Sequence, residues 1–146
     1  MRRIRVLIAD DHPGFTSALV SVLEADPRFI VAATATTGEE ALRLAAETPV
    51  DVALLDVHMP FGGPAAAEAL AALPYPPALV AISAQSGQAV VEEMLRAGAV
   101  GYLTKGRVGA VLPDLLARCV EGEVILATPA AAGALRAVLE APVARA

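Results

Sequence analysis

The segment Ile4-Arg5-Val6-Leu7-Ile8-Ala9-Asp10-Asp11 decides the fold class of this chain. Its first six residues are apolar except for Arg5, and such a run predicts a strand, Ile4–Ala9, that is buried on both faces. Strands of this kind belong to parallel sheets that helices cover on both sides. The strand stops at two adjacent aspartates, so the segment also places two carboxylates at the carboxyl end of a buried strand.

The same alternation of apolar strands and helical segments continues along the chain. Further strands are predicted at Phe29–Ala35, Val52–Leu55, Ala78–Ile82 and Gly101–Leu103. Helices are predicted over Pro13–Ala25, from the capping-box residue Thr37 to Glu47, and over Ala65–Leu73, Gln88–Ala97 and Val111–Val120. Five strands that alternate with five helices, joined by right-handed crossovers, predict a doubly wound α/β domain with a parallel sheet.

Composition bounds the class of protein. The 146 residues suffice for one domain, and 56% hydrophobic against 18% charged residues excludes a disordered chain. The net charge of −5 disfavours direct binding to nucleic acid. Cys119 is the single cysteine, so a disulfide within the chain is impossible and a reducing, cytoplasmic location is expected.

Two hydrophobic features do not predict membrane insertion or export. The uncharged stretch Ala69–Val91 is long enough to cross a bilayer, but Pro74, Pro76 and Pro77 would break a helix there. The apolar run after the N-terminal arginines ends at Asp10, too early for a signal peptide.

The last 24 residues differ from the rest of the chain. We expect a domain over 1–122 and a linker or C-terminal helix segment over 123–146, with an apolar stretch at Val124–Ala127 and a short Ala-rich helix at Pro129–Leu139.

Polar residues follow the predicted strands where each one ends. Asp10 and Asp11 follow the first strand, Asp56 the third, Ser83 the fourth and Lys105 the fifth. A doubly wound sheet brings these strand ends to one edge, where ligands bind. Three close carboxylates need a counter-charge, which Mg²⁺ supplies, and a lysine suits a phosphoryl oxygen. These parts are typical of phosphoryl transfer to a carboxylate.

Three motifs carry a family resemblance, and they lie in order at the predicted strand ends. They are Ile4–Asp11 followed by His12-Pro13, then Leu54-Leu55-Asp56-Val57-His58-Met59-Pro60, then Ala97-Gly98-Ala99-Val100-Gly101-Tyr102-Leu103-Thr104-Lys105. With them, the chain resembles a response-regulator receiver domain, most closely the NarL/FixJ type. The resemblance covers about residues 4–122 and implies a flavodoxin-like or CheY-like sheet with strand order 2-1-3-4-5.

The resemblance also implies residue roles. Asp56 corresponds to the phosphoacceptor, and Mg²⁺ is expected to bind Asp10, Asp11, Asp56 and the backbone carbonyl of His58. Ser83 and Lys105 correspond to the hydroxyl and lysine that contact the phosphoryl group. Ser83 and Tyr102 correspond to switch residues, and the responding surface is expected at about residues 88–120.

Several functions remain open. A sensor histidine kinase is the expected partner, and the output is either a DNA-binding helix-turn-helix domain outside this chain or, in a stand-alone or phosphorelay receiver, direct protein contact. A homodimer is expected on phosphorylation. An enzyme is disfavoured, because the sequence has neither the Asp-x-Asp of haloacid-dehalogenase-type phosphatases nor a P-loop.

Plainer roles are expected for some nearby residues. One aspartate of the Asp10-Asp11 pair is expected to cap the first helix as well, and His12 is interpreted as a loop residue. Cys119 lies on the apolar face of a predicted helix, which indicates core packing.

Overall fold

A computed structural model of the chain describes residues 2–85, 87–107 and 109–140. Strands and helices alternate along them. The strands are β1 (Ile4–Ala9), β2 (Phe29–Ala35), β3 (Val52–Asp56), β4 (Ala78–Ser83), β5 (Gly101–Thr104) and β6 (Ile125–Ala127). The helices are α1 (Pro13–Glu24), α2 (Gly38–Glu47), α3 (Gly63–Ala71), α4 (Gln88–Arg96), α5 (Leu112–Val120) and α6 (Ala131–Glu140), with a 3-10 turn at Lys105–Arg107.

The strands form one parallel sheet in the order β2-β1-β3-β4-β5-β6. This confirms the doubly wound fold class and the expected order of the first five strands. The sixth strand differs from the prediction of five. β6 pairs with β5 from Gly101 opposite Ile125 to Leu103 opposite Ala127. The sequence indicated only an apolar stretch there, in the segment that was expected to follow the domain.

Each face of the sheet has its own hydrophobic core, because successive strand residues point to opposite sides. In β1, Leu7 and Ala9 face a core that includes buried residues of α2, α3, α4 and α6. Val6 and Ile8 face the other core, which α1 and α5 complete. Cys119 belongs to this second core and is 3% exposed, so its predicted packing role is confirmed.

Most element ends agree with the sequence prediction to within two residues. Helix α2 begins after Thr37, whose hydroxyl accepts a hydrogen bond from the Glu40 amide at 3.1 Å, as the capping-box pattern predicts. Pro113 lies in the first turn of α5, where a missing N–H costs no helical hydrogen bond. Helix α3 begins at Gly63, two residues before the predicted start.

The C-terminal elements pack onto the domain. Helix α6 lies against α4, and Ala134 is fully buried in the core beneath them. Residues 141–146 of the predicted C-terminal segment lie outside the described residues. Within the described part of the chain, every helix is too short or too polar to span a bilayer.

Candidate phosphoryl and metal site

The carboxyl ends of four adjacent strands carry the predicted site residues. Asp10 directly follows β1, and Asp56 and Ser83 are the last residues of β3 and β4. Lys105 directly follows β5. These strands are neighbours in the sheet, so their register places the side chains at one edge. The convergence expected from the sequence is therefore present in the fold.

Four donor residues gather at this edge. Asp10, Asp11, His12 and Asp56 each offer one ligand atom, and these atoms all lie within 4.8 Å of one another. Asp10 and Asp56 are 1% and 2% exposed, whereas Asp11 and His12 are exposed. Two carboxylates of the cluster are thus buried, and its other two donor residues face solvent.

Lys105 supplies the positive charge of the site. Its Nζ atom lies 2.8 Å from Oδ2 of Asp10 and 3.5 Å from Oδ2 of Asp56. Burial lowers the pKa of Lys105, but the two carboxylates outweigh it and the net pKa is raised. The ammonium also lies 4.6 Å from the centre of the Phe15 ring, a cation–π distance. Lys105 therefore remains positively charged in the site.

The environment of Asp56 disfavours its charge. Burial raises its pKa, and the Asp10 carboxylate raises it further. The His58 amide, which donates to Oδ1 at 3.2 Å, and the Lys105 ammonium both act in the opposite direction. An additional cation at the cluster would favour the ionised, nucleophilic form of Asp56.

The residues present fit a divalent cation. Three carboxylates meet at this edge, and the Lys105 ammonium, 2.8 Å from Oδ2 of Asp10, offsets only one of their charges. Like charges at this spacing are unfavourable unless a further cation engages them. Carboxylate oxygens are the ligands of hard divalent ions. The cluster could therefore hold a metal.

Ser83 and Tyr102 are joined through a single residue of the loop after β4. The Gln85 amide donates to the Ser83 hydroxyl at 2.9 Å, and the Tyr102 hydroxyl donates to the Gln85 carbonyl at 2.7 Å. Tyr102 is fully buried, and burial raises the pKa of its phenol, so the hydroxyl remains a donor. The two side chains thus share one loop as their partner.

Comparison with known proteins agrees with this geometry. A family model described as "Response regulator receiver domain" matches residues 6–116, a span that includes each strand end of the site. The chain belongs to the response regulator receiver domain family.

The receiver domain is similar to transcriptional regulators. It is 36% identical over 132 residues to the transcriptional regulatory protein YxjL of Bacillus subtilis (strain 168), covering 89% of this chain and 60% of YxjL. The signal receiver domain of NarL from Mycobacterium tuberculosis superposes with a TM-score of 0.81 at 32% identity, covering 84% of this chain and all of that one. The predicted NarL-type subgroup is thereby confirmed. The chain spans about three fifths of the length of YxjL.

A second kind of relative has a different overall name. The receiver domain is 34% identical over 105 residues to a protein-glutamate methylesterase/protein-glutamine glutaminase of Halalkalibacterium halodurans. The match covers 70% of this chain but 30% of that protein. The receiver fold therefore occurs in proteins whose names describe different outputs.

Sequence reasoning missed two residues of the receiver site. His12 lies in the loop before α1, as expected, but its ring joins the carboxylate cluster. Gln85 links Ser83 to Tyr102 through its backbone, so its side-chain type gave no signal. For His12 the available signal was its position directly after Asp10-Asp11.

The expected capping role of the aspartate pair is wrong. The N-cap of α1 is His12, and it makes no side-chain capping hydrogen bond. Oδ1 of Asp10 instead accepts from the His12 amide at 2.7 Å, which lies before the first helical turn. Asp10 is held in the strand-end cluster, where its second oxygen meets Lys105.

Proposed function

We propose that Asp56 is the phosphoacceptor of this receiver domain and that a sensor histidine kinase is the donor. An oxygen of the ionised Asp56 carboxylate attacks phosphorus, the bond from phosphorus to the kinase imidazole nitrogen breaks, and the imidazole keeps the electron pair. The product on this chain is an aspartyl phosphate. The observation that carries the proposal is the Lys105 ammonium, 3.5 Å from a buried carboxylate at a strand end.

Asp10, Asp11, Asp56 and the backbone carbonyl of His58 are the proposed ligands of Mg²⁺. When bound, the ion would neutralise the charge that these carboxylates and the phosphoryl oxygens bring together. The excess of carboxylate charge over the Lys105 ammonium at this edge supports this ligand set. The His58 side chain is exposed and is not part of the proposed set.

Lys105 and Ser83 are proposed to contact the phosphoryl group. Lys105 already lies near Asp56, so its ammonium can pair with a phosphoryl oxygen bound there. The Ser83 hydroxyl accepts from the Gln85 amide, so its own proton is available to donate to a phosphoryl oxygen. A movement of Ser83 would then alter the loop that also holds the Tyr102 hydroxyl. This is the proposed switch, with the two states biased by phosphorylation.

The proposed output is control of transcription through a helix-turn-helix domain outside these 146 residues, in a regulator that acts in the cytoplasm. The similarity to YxjL over about three fifths of its length supports it. Homodimer formation on phosphorylation belongs to the same proposal. So does the expectation that the domain itself catalyses only the gain and loss of its own phosphoryl group.

A stand-alone receiver that acts by protein contact is the second candidate. The observation that favours it is α6, which packs on α4 and buries Ala134. The reading frame of the gene beyond residue 146 discriminates the two. A DNA-binding domain encoded there supports the transcriptional proposal, and a stop codon supports the stand-alone receiver.

Phosphorylation by acetyl phosphate tests the acceptor. We expect the intact mass to increase by one phosphoryl group with Mg²⁺ and to stay unchanged with EDTA. Asp56→Asn should abolish the increase. Asp51→Asn is the matched control, because Asp51 lies next to β3 at its opposite end, where it accepts from the Arg5 amide at 2.8 Å. Phosphorylation of Asp56→Asn to the wild-type extent would overturn the proposal.

A further inference from the structure

The His12 imidazole lies in the cation site, yet the proposed reaction gives it no role. Its Nδ1 atom is 3.1 Å from Oδ1 of Asp10, 3.1 Å from Oδ1 of Asp11 and 3.8 Å from Oδ2 of Asp56. Nδ1 is also 3.4 Å from the Lys105 Nζ atom. The ring nitrogen thus lies beside the same carboxylates that would hold a bound cation.

The separations match those of neighbouring ligands on one octahedral ion. Adjacent donors at right angles, each about 2.1 Å from the metal, lie about 3.0 Å apart. The pairs that Nδ1 forms with Asp10 and Asp11 have this spacing at 3.1 Å. The pair with Asp56 is longer, at 3.8 Å, and needs a small adjustment of the His12 ring. Because the His12 side chain is 68% exposed, packing does not oppose that adjustment.

A second observation is independent of His12. Asp10 is 1% exposed, and its Oδ2 has no hydrogen-bond partner among the described residues although Lys105 lies beside it. Lys105 is the ion-pair partner of that oxygen, and its single charge leaves two of the three carboxylate charges at this edge without a counter-ion. The cluster therefore combines an excess of negative charge with a nitrogen donor at ligand spacing.

We propose that Nδ1 of His12 is a further ligand of the divalent cation held by Asp10, Asp11 and Asp56, so that His12 raises the affinity of the site for transition-metal ions relative to Mg²⁺. The proposal rests on the cation site of the proposed function and adds its selectivity. Mg²⁺ binds oxygen ligands and gains little from an imidazole, whereas imidazole is a good ligand for Ni²⁺ and Zn²⁺. A nitrogen donor among three carboxylates thus shifts the preference.

Replacing the nitrogen donor by an oxygen tests the selectivity. In His12→Asn, the amide can offer its oxygen near the position of Nδ1, so the fold and the number of donors are retained. Titration calorimetry of the full chain with Ni²⁺ and, separately, with Mg²⁺ gives both affinities. We expect His12→Asn to weaken Ni²⁺ binding about tenfold or more, the scale of metal-site substitutions, and to change Mg²⁺ binding less than about twofold.

Asp114→Asn is the control for an exposed polar side chain outside the site. Asp114 pairs with Arg28 and does not belong to the donor cluster of Asp10, Asp11, His12 and Asp56. Ni²⁺ affinity equal to wild type in Asp114→Asn, together with the loss in His12→Asn, supports the proposal.

Equal changes for both ions in His12→Asn, or no change for either, would overturn it and would reduce His12 to a hydrogen-bonding neighbour of Asp10. If the wild-type chain binds neither Ni²⁺ nor Mg²⁺, the cation site itself is absent and the proposal is overturned. The acceptor role of Asp56 is tested separately by phosphorylation with Mg²⁺, so the two failures are distinguishable.

Discussion

Asp56 is held in the folded chain where a negative charge is unfavourable. Its carboxylate is 2% exposed, and burial together with the neighbouring Asp10 and Asp11 carboxylates raises its pKa more than the His58 amide and the Lys105 ammonium lower it. A carboxyl group with a raised folded pKa stabilises the fold fully below its unfolded pKa, and this contribution is lost as pH rises through the folded pKa. Without a metal, Asp56 therefore contributes least to the stability of the fold at the pH values where it must be ionised to react.

Asp56→Asn is expected to stabilise the metal-free chain at neutral pH by about 1 kcal/mol, because the amide removes the buried charge. The gain should be small at pH 3 and should increase above about pH 4, where an unfolded aspartate ionises. Urea unfolding in EDTA, followed by circular dichroism at several pH values, measures it. Asp114→Asn, at an exposed position that pairs with Arg28, should give no such gain. A destabilised Asp56→Asn at pH 7 would contradict this account of the site.

At the scale of elements, α2 depends on a close contact with the loop before α3. The Gly38 amide donates to the Pro60 carbonyl at 2.9 Å. A Cβ atom on Gly38 would lie 1.4 Å from the Phe61 carbonyl oxygen, which is impossible without backbone movement. The absence of a side chain therefore allows α2 to dock beside the segment that follows Asp56.

Gly38→Ala is expected to lower the free energy of unfolding by about 2 kcal/mol or more, since the clash is with backbone rather than a mobile side chain. Gly14→Ala is the matched change in the first turn of α1, where a Cβ meets nothing within 4 Å. There alanine should stabilise by about 0.5 kcal/mol through its lower unfolded-state entropy. Chemical denaturation measures the free energy of unfolding of both variants. Equal changes in the two would contradict the predicted clash at Gly38.

The β6–α6 unit, residues 125–140, is the part of the fold whose packing the sequence predicted least well. β6 extends the sheet beyond β5, and α6 lies on α4 with Ala134 buried. We propose that this unit docks stably on the receiver and is more than a linker. A helix was predicted over Pro129–Leu139 from the sequence, but the surface that it packs on was not.

Ala134→Asp is expected to release α6, because a buried, unpaired carboxylate is strongly unfavourable. Hydrogen exchange of residues 131–140 should then approach that of an unprotected chain, while the strands β1 to β5 stay protected. Ala132→Asp places the same charge at an exposed position of the same helix and should leave protection unchanged. Equal protection of α6 in the two variants would show that the helix does not dock through Ala134.

At the scale of the whole molecule, topology explains why so much of the site was predictable. Four site residues lie at the ends of strands: Asp10, Asp56, Ser83 and Lys105. The carboxyl ends of parallel strands lie at one edge of the sheet regardless of loop conformation. The apolar runs and helix patterns were long enough to predict five strands, and the family resemblance implied their order. The first five strands of the sheet were therefore available from the sequence.

What could not be predicted depends on short segments and on side-chain direction. β6 lies in the segment expected to follow the domain, and its three residues are only partly buried, so its apolar stretch did not distinguish a strand from a loop. The direction of the His12 ring and the Gln85 backbone link between Ser83 and Tyr102 follow from loop conformation. The same limit explains the wrong helix cap, because the sequence did not show that Asp10 turns toward Lys105.

Chemical trapping of the phosphorylated residue tests the central claim most directly. After reaction with acetyl phosphate and Mg²⁺, borohydride reduces an aspartyl phosphate to homoserine, which tandem mass spectrometry locates within the chain. The account predicts homoserine at position 56 and nowhere else in wild type. Homoserine at position 10 or 11, or none at any position in a chain that has gained a phosphoryl group, would contradict it.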